Sequence, residues 1–382
     1  MKMRPKLLCL RMFAAILCVA GALSPSAAYA KDKLLDEVID FTGTVLFLET
    51  KVPAVVIGAV RNGETSVTGF GKARSGSDRS PDGKTLLRIG SITKVFTGAV
   101  LASLLADGKV KRADTLQQRL GWDVVVPSKA GRPIRLIDLV THTSGLPREI
   151  ERPPGPDDNP FATITKEAFI KNLQSDPLLF PPGTGALYSN FAFDLLAEAL
   201  AHSAGTSYDA LLQERVLKPA GLAATSFTPD KQQEMMQGHD FSGGPLPDVP
   251  TVPVIAGSGG LYSTPEDILR WTAWHLDRSS TAQAEIRLLD HAAYVYRDGL
   301  NPVSGLDESG RADAIGLGWI IMLPRNDRPL ILQKAGGLQG MFSYNASARG
   351  VGAFAAINAF NFSAAQKMAE TVNEMIATLA PR

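Results

Sequence analysis

Cysteine is nearly absent from this sequence of 382 residues: it occurs twice, both times within the first 18 positions. These positions belong to a stretch typical of a secretory signal peptide, with a basic start, an apolar segment at Met12–Leu23 and an Ala28-Tyr29-Ala30 cleavage site. We therefore expect residues 1–30 to be removed on export to the periplasm. The remaining chain, 31–382, would have no disulfide, no thiol nucleophile and no Cys-ligated zinc.

Three further features are missing. The apolar segment of the leader has about 12 residues where a membrane-spanning helix needs roughly 20, so we expect no transmembrane helix after cleavage. Basic and acidic residues nearly balance, 39 against 38, and no basic patch favours a nucleic-acid partner. Neither a low-complexity linker nor a run of like charge divides the chain, which favours one catalytic module.

What the sequence does contain is a pattern of strands at both ends and helices between them, which indicates an α+β fold. The predicted helices cover residues 33–49, 91–105, 191–204, 268–276 and about 364–379, and 114–230 is expected to be mostly helical. A hairpin is predicted from strands 54–60 and 65–70 around Arg61-Asn62-Gly63. Further strands are predicted at 86–89, 316–322, 330–333, 342–346 and 351–357.

Ser91-Ile92-Thr93-Lys94 is the first candidate for chemistry. Residues i and i+3 share a helix face, so the Lys94 amine can reach the Ser91 hydroxyl. A serine hydroxyl is a weak nucleophile until a base takes its proton, and an amine can be that base once burial favours its neutral form. One such spacing is expected by chance, and the serine could simply cap the helix.

Tyr188-Ser189-Asn190 precedes the next long helix and follows a Pro181-Pro182-Gly183 turn. The Tyr188 phenol could relay a proton. Locally, the simpler interpretation is that Tyr188 packs its ring and Asn190 caps the helix.

Lys334-Ala335-Gly336 follows an apolar strand and runs into Gly337, so that a cation and bare backbone meet at a strand edge where substrate can approach closely. The same triplet occurs at 129–131, in a polar turn with no strand before it. Context therefore favours the later copy.

Two other motifs invite different chemistry. His142 could be placed in a Ser-His-Asp triad, but a base is already supplied by Ser-x-x-Lys, and a structural histidine is the simpler interpretation. The Gly-rich string 257–260 lacks the Lys-Ser/Thr ending of a phosphate loop and is interpreted as a turn. No histidine pair has the spacing of a metal-binding helix, so we predict neither metal nor cofactor.

Ser-x-x-Lys, Tyr-x-Asn and Lys-x-Gly occur in the order, and on the elements, of the serine β-lactamase and penicillin-binding protein superfamily, which this chain resembles. Tyr-x-Asn as the middle motif is similar to class C β-lactamases and their carboxypeptidase relatives. Longer strings resemble periplasmic D-alanyl-D-alanine carboxypeptidase/endopeptidases: Arg88–Lys94, Leu139–Glu149, Tyr188–Leu196, Gly257–Pro265 and Gly316–Trp319.

The resemblance implies a β-lactamase/transpeptidase-like fold: an antiparallel sheet flanked by helices, from about 31–115 and 245–382, and a helical part from about 116–244. It also implies roles for the motif residues. Ser91 would be acylated, Lys94 and Tyr188 would share acid and base work, Asn190, Lys334 and Gly336 would bind substrate, and the N–H groups of Ser91 and Gly337 would form an oxyanion hole.

One position departs from the family pattern. Members usually carry Thr or Ser between the third-motif lysine and glycine, where the hydroxyl binds a substrate carboxylate, and this chain has Ala335. The leading hypothesis is a DD-peptidase that acts on peptidoglycan peptides and binds β-lactams. A class C β-lactamase, an esterase on the same scaffold and a noncatalytic penicillin-binding sensor remain as alternatives.

Overall fold

The computed structural model describes residues 32–230, 232–326 and 328–381. The expected leader, residues 1–30, lies outside them. Helix α1 (Lys33–Thr50) comes first, capped by the Asp32 carboxylate, which accepts a hydrogen bond from the Leu35 N–H at 3.1 Å. The hairpin β1 (Ala54–Arg61) and β2 (Glu64–Gly71) follows. Helix and hairpin confirm the sequence prediction to within one residue at each end.

Two strands from the start of the chain and six from its last third form one antiparallel sheet, in the order β2-β1-β14-β13-β12-β11-β10-β8. This order joins the two ends of the sequence, because β1 pairs with β14 from Val55 opposite Ile357 to Arg61 opposite Val351. The later strands are β8 (Val295–Tyr296), β10 (Ala314–Ile315), β11 (Ile320–Met322), β12 (Ile331–Leu338), β13 (Met341–Ala348) and β14 (Val351–Ile357).

Helices cover both faces of the sheet, which is why β1 and β14 are buried along nearly their whole length. Alternate residues of β1 point to opposite cores. Val55 and Ile57 pack with α1 and α10 (Phe362–Leu379), whereas Ala54 and Val56 join the core that contains α2 (Thr93–Ala106) and α8 (Pro265–Leu276). The predicted α+β architecture, with a flanked antiparallel sheet, is confirmed.

The middle of the chain has shorter helices than the sequence pattern suggested. They are separated by long irregular segments rich in proline and glycine, which cannot continue a helix. The remaining helices are α3 (Leu116–Arg119), α4 (Leu136–Val140), α5 (Lys166–Gln174), α6 (Asn190–Ala204), α7 (Tyr208–Leu212) and α9 (Ala284–His291). Two-residue strands complete the fold: β3 (Leu87–Arg88), β4 (Ser128–Lys129), β5 (Arg132–Pro133), β6 (Ala186–Leu187), β7 (Tyr262–Ser263) and β9 (Val303–Ser304).

Two predicted elements near the motifs were wrong in extent. The strand expected at 316–322 is shorter than predicted: only β11 (Ile320–Met322) lies within these residues, because residues 316–319 form the turn from β10, in which Gly318 has φ +83° and packs its backbone against Lys94. Strand β12 runs on to Leu338, so the triplet that begins at Lys334 lies inside a strand and not after one. The register pairs Gly336 with Ser343 on β13.

No helix within the described ranges is long and apolar enough to cross a membrane.

Candidate active site

Ser91 lies in a 3-10 turn, Gly90–Ile92, that joins β3 to the α-helix beginning at Thr93. The sequence predicted that the helix begins at Ser91 itself. The turn packs against β12 so closely that a Cβ on Gly90 would lie 2.7 Å from the Gly337 nitrogen. Gly90 has φ +51°, a left-handed conformation that glycine adopts without strain. This contact fixes the nucleophile beside the third motif.

The Lys94 amine is fully buried and has three hydrogen-bond partners. Its Nζ donates to Ser91 Oγ at 3.2 Å, to the Asn190 side-chain oxygen at 2.6 Å and to the Ser258 carbonyl at 2.6 Å. Only the first of these contacts is local in sequence. The i, i+3 geometry predicted for Ser91 and Lys94 is present.

Burial lowers the pKa of Lys94 from 10.5 to about 7, because an ammonium ion loses its hydration there. Negative charge at Asp194 and Glu149 opposes this shift, and Arg148 adds to it. Burial also raises the pKa of Asp194 well above its ordinary value. A large fraction of Lys94 is therefore neutral near pH 7 and can accept a proton.

Asn190 begins α6, but it does not cap the helix as the local pattern suggested. Ser189 caps it, with Oγ accepting from the Ala192 N–H at 3.0 Å. The Asn190 side chain is free for the site: its oxygen accepts from Lys94, and its amide nitrogen donates to the Glu149 carboxylate. Glu149 thus fixes which way the amide faces.

The Tyr188 ring is buried among cations and one imidazole. The Lys94 and Lys334 amines lie 5.0 and 4.7 Å from its centroid, and the Arg148 guanidinium carbon lies 4.8 Å away. His142 stacks on it with centroids 4.5 Å apart. Burial raises the pKa of Tyr188, while a hydrogen bond with Ser91 acts in the opposite direction. The phenol therefore keeps its proton at neutral pH.

Among the described residues, the hydrogen-bond partner of the His142 side chain is Ser189 and not Ser91. The His142 Nδ1 accepts from the Ser189 N–H at 3.1 Å, and its ring stacks on Tyr188 and contacts Phe193 at a tilt of 45°. Burial, helped by the charge of Lys334, lowers the pKa of His142 well below its ordinary value. These contacts fit the structural interpretation of His142 and not a triad.

Lys334, Ala335, Gly336 and Gly337 form the edge of the cleft on β12. Lys334 is 2% exposed, and burial, with a contribution from the Lys94 charge, lowers its pKa well below the ordinary value. A Cβ on Gly336 would lie 2.0 Å from the Ile89 carbonyl and 3.0 Å from the Ser91 nitrogen. Glycine is therefore required where strand and nucleophile turn touch.

The second Lys-Ala-Gly triplet is a surface hairpin. Lys129 ends β4, and Ala130 and Gly131 form the turn into β5 with φ +52° and +72°. Lys129 is exposed and donates to the Leu178 carbonyl. The preference for the later copy agrees with this placement.

At least one residue of each of the three motifs borders a cleft of about 490 Å³. Ser91, Tyr188 and Lys334 line it together with Arg148 and Glu308. The arrangement joins a nucleophile, a buried amine with lowered pKa, a protonated phenol and a glycine-rich strand edge. Chemically, this set can perform acyl transfer to serine.

Four residues at the site were not assigned a role from the sequence: Arg148, Glu149, Asp194 and Ser258. Ser258 belongs to the string 257–260 that was interpreted as a turn, and its hydroxyl donates to Asp194 at 3.1 Å while its carbonyl accepts from Lys94. All four lie inside strings that carry the family resemblance, which was the available signal.

Within the described part of the chain, one group of side chains could hold a metal ion: His275, Asp290 and His291, with ligand atoms within 4.8 Å of one another. His275 Nδ1 and His291 Nε2 share a hydrogen bond of 2.7 Å, and the Trp319 indole donates to Asp290. Burial raises the pKa of Asp290 to about 8 and lowers that of His291 to about 4. None of the three lines the Ser91 cleft.

Comparison with known proteins places this geometry in a family. The family model described as Beta-lactamase matches residues 32–374. The D-alanyl-D-alanine-carboxypeptidase/endopeptidase AmpH of Escherichia coli strain K12 is 34% identical over 381 residues, which cover 97% of this chain and 96% of AmpH. A beta-lactamase of the same strain is 24% identical over 266 residues, covering 69% of this chain and 67% of that protein.

Among solved structures, a beta-lactamase/D-alanine carboxypeptidase from Yersinia pestis, complexed with citrate, superposes with a TM-score of 0.81 at 34% identity. The match covers 92% of this chain and 99% of that one. Family model, relatives and fold agree with the arrangement around Ser91, and the chain therefore belongs to the β-lactamase family of serine hydrolases.

Proposed function

We propose that this protein is a serine DD-peptidase that cleaves peptidoglycan peptides through an acyl-enzyme on Ser91 and is acylated by penicillins. The observation that carries the proposal is the Lys94 amine, which is buried, hydrogen-bonded to Ser91 Oγ and lowered in pKa to about 7. The similarity to AmpH, a D-alanyl-D-alanine-carboxypeptidase/endopeptidase, supports the substrate class.

In the proposed reaction, neutral Lys94 accepts the Ser91 proton as Oγ attacks the substrate carbonyl. The N–H groups of Ser91 and Gly337 stabilise the oxyanion, for which the close approach of the nucleophile turn to β12 is the structural support. The C–N bond breaks, and the leaving amine takes a proton from Tyr188, whose buried phenol is protonated at neutral pH. The Lys94 ammonium then gives the proton that it took from Ser91 to the Tyr188 phenolate, which restores both groups. Water then hydrolyses the ester on Ser91.

Asn190, Lys334 and Gly336 would bind the substrate on this scheme. Asn190 is oriented by Lys94 and Glu149, so that its amide is held at a fixed angle. Lys334 and Gly336 stand on β12, where an extended substrate can lie along the strand edge. The scheme uses no metal and no cofactor.

We further propose that residues 1–30 are a cleaved signal peptide and that the enzyme works in the periplasm, where its substrate is. The basic start, apolar segment and Ala-x-Ala site support this. The division into an α/β part, about 31–115 and 245–382, and a helical part, about 116–244, remains our interpretation of the catalytic module. The sheet drawn from both chain ends supports it.

A β-lactamase is the second candidate, because the same groups would form the acyl-enzyme and a beta-lactamase of Escherichia coli is 24% identical over 266 residues. The two functions differ in how fast water removes a penicilloyl group from Ser91. An esterase would differ in the acyl donor that it accepts.

Labelling with a fluorescent penicillin tests the acyl-enzyme. The wild type should form a covalent adduct, and Ser91→Ala should form none. Ser128→Ala, which removes an exposed hydroxyl on β4, should label like the wild type. Absence of a Ser91-dependent adduct would contradict the proposal.

Mass spectrometry of muropeptides incubated with the enzyme separates the candidates. Release of terminal D-alanine or cleavage of cross-links identifies a DD-peptidase. If the muropeptides stay uncleaved while cephalosporins or small esters are hydrolysed, the peptidase proposal is wrong. Hydrolysis of cephalosporins would then identify a β-lactamase, and hydrolysis of small esters would identify an esterase.

A further inference from the structure

Arg148 lines the cleft beside Tyr188 and takes no part in the proposed acyl transfer. Its guanidinium carbon lies 4.8 Å from the Tyr188 ring centroid, and its side chain is 49% exposed. Its Nη1 forms an ion pair with the Glu308 carboxylate at 3.5 Å, and the Glu308 side chain is 70% exposed. Solvated pairs of this length are weak, so an incoming anion can displace Glu308.

The charge that Arg148 offers differs from that of the other cation in the cleft wall. Lys334 is almost completely buried, and its pKa is lowered by that burial. A guanidinium keeps its charge at any ordinary pH, and its donors form a planar fork that fits the two oxygens of a carboxylate. Arg148 is therefore the better carboxylate ligand of the two.

The position of Arg148 suits contact with the leaving fragment of the substrate. Tyr188 is the proposed donor to the leaving group, so in the proposed reaction the leaving fragment lies beside Tyr188, and the Arg148 guanidinium carbon is 4.8 Å from the centroid of that ring. Across the cleft, Ala335 presents a methyl group and Gly336 and Gly337 present no side chain. Arg148 is thus a half-exposed cation in the cleft wall that a carboxylate on the leaving fragment can reach.

We propose that Arg148 determines specificity for acyl donors whose leaving fragment ends in a free carboxylate, and that Glu308 occupies the guanidinium until such a fragment displaces it. This inference rests on the proposed acyl-enzyme on Ser91. It names the substrate class of that site: peptides and esters with an anionic leaving fragment.

Two thioesters with the same acyl group test the proposal, one releasing mercaptoacetate and the other mercaptoacetamide. The leaving groups are nearly equal in size and differ in charge, and a thiol-reactive disulfide dye detects both. The chain has no cysteine after residue 18 and so adds little background once the leader is removed. The measured quantity is the ratio of kcat/KM for the charged over the neutral thioester.

Arg148→Gln should lower this ratio about tenfold to one-hundredfold, because hydrogen bonds to a charged group are lost. Arg148→Lys, which keeps a charge without the fork, should recover part of it. Glu308→Gln should raise the ratio about two- to fivefold by removing the competing carboxylate. Arg349→Gln, at an exposed turn outside the cleft, should leave the ratio at the wild-type value.

An equal loss of both substrates in Arg148→Gln, with an unchanged ratio, would overturn the inference, because Arg148 would then act only by packing on Tyr188. Penicillin labelling separates this result from failure of the proposed function. Intact labelling with an unchanged ratio refutes the role of Arg148 alone. A wild type that is not labelled at Ser91 refutes both.

Discussion

The rate at which a fluorescent penicillin acylates Ser91 should rise about tenfold per pH unit below pH 7 and level off above it, because Lys94 must be neutral to accept the Ser91 proton. The pKa of Lys94 falls from 10.5 to about 7 on burial. An amine with the lower pKa is half neutral at pH 7, about 9% neutral at pH 6 and about 1% neutral at pH 5. An ordinary lysine would be about 0.03% neutral at pH 7.

The energetic origin of this change is desolvation. A lowering of the Lys94 pKa from 10.5 to about 7 corresponds to a free energy of about 5 kcal/mol in favour of the neutral amine. Burial favours the neutral amine, and the negative charges of Asp194 and Glu149 partly oppose this effect. The Lys94 side chain is fully buried, so solvent does not screen the effect appreciably. Per mole of enzyme at pH 7, the site thus holds about a thousand times more base than an exposed lysine would supply.

The shape of the profile also decides which group is the base. Burial raises the pKa of Tyr188, so a phenolate base would keep gaining rate through pH 9.5. A Lys94 base gives a plateau above pH 8. Second-order rate constants are measured from gel fluorescence between pH 5 and 9.5 at constant ionic strength, with circular dichroism to check that the protein stays folded.

Lys94→Gln is the matched variant. It should acylate slowly and show no transition near pH 7. A wild-type profile that is flat from pH 5.5 to 8.5, or a transition near pH 7 that persists in Lys94→Gln, would refute the assignment of Lys94 as the base.

Three further results are expected. Asp194→Asn should move the acid limb of this profile to lower pH, because the carboxyl group is removed whose ionised form favours the Lys94 ammonium; a move to higher pH would contradict this. Ala335→Thr adds a hydroxyl to the cleft wall and should raise the ratio of kcat/KM for the charged over the neutral thioester by up to about tenfold. An unchanged ratio in the thioester assay would contradict this. Gly336→Ala forces a Cβ to within 2.0 Å of the Ile89 carbonyl and should slow acylation of Ser91 more than about one-hundredfold. Gly299→Ala is the control, because the space around Gly299 is open, and it should be acylated at nearly the wild-type rate. Equal acylation rates for the two variants would show that β12 does not fix the position of the nucleophile.

Elements that depend on neighbouring residues could be predicted from the sequence. The β1–β2 hairpin is specified by its Asn62-Gly63 turn, and both residues adopt positive φ there. The pair Ser91 and Lys94 is specified by helical spacing, although the first turn is 3-10 and not α-helical. In each case, the contact spans no more than a few residues of sequence.

Contacts between distant segments were beyond sequence reasoning. Ser258 reaches Lys94 across 164 residues, and its string of glycines looked like a plain turn. His275 and His291 share a hydrogen bond across 16 residues, from α8 to α9, a separation much longer than that of two histidines on one metal-binding helix. Such contacts form only when two particular segments pack against each other. Hydrophobic periodicity indicates which face of a helix is buried, but it does not indicate which segment that face packs against.

The two Lys-Ala-Gly triplets have the same sequence but different environments in the fold. In the described part of the chain, Lys129 stands on a two-stranded sheet of β4 and β5, where its side chain is exposed and its amine donates to the Leu178 carbonyl. Lys334 pairs with Asn345 on β13 and lies one residue beyond Gln333, the last residue of β12 that pairs with β11; it is 2% exposed and close to the Tyr188 ring. The apolar residues before Lys334 were the signal of such a strand.

The Ser-x-x-Lys motif likewise does not by itself explain the proposed reaction, which also depends on the environment that the fold gives to Lys94. The spacing brings an amine to a hydroxyl, but an exposed lysine at that distance would be almost entirely protonated at pH 7 and unable to accept a proton. The base appears only when α6, which supplies Asn190 and Asp194, and the 257–260 segment, which supplies Ser258, enclose the amine. These contacts hold Nζ in place while burial removes its hydration, so the nucleophile is activated by tertiary packing and merely positioned by the motif.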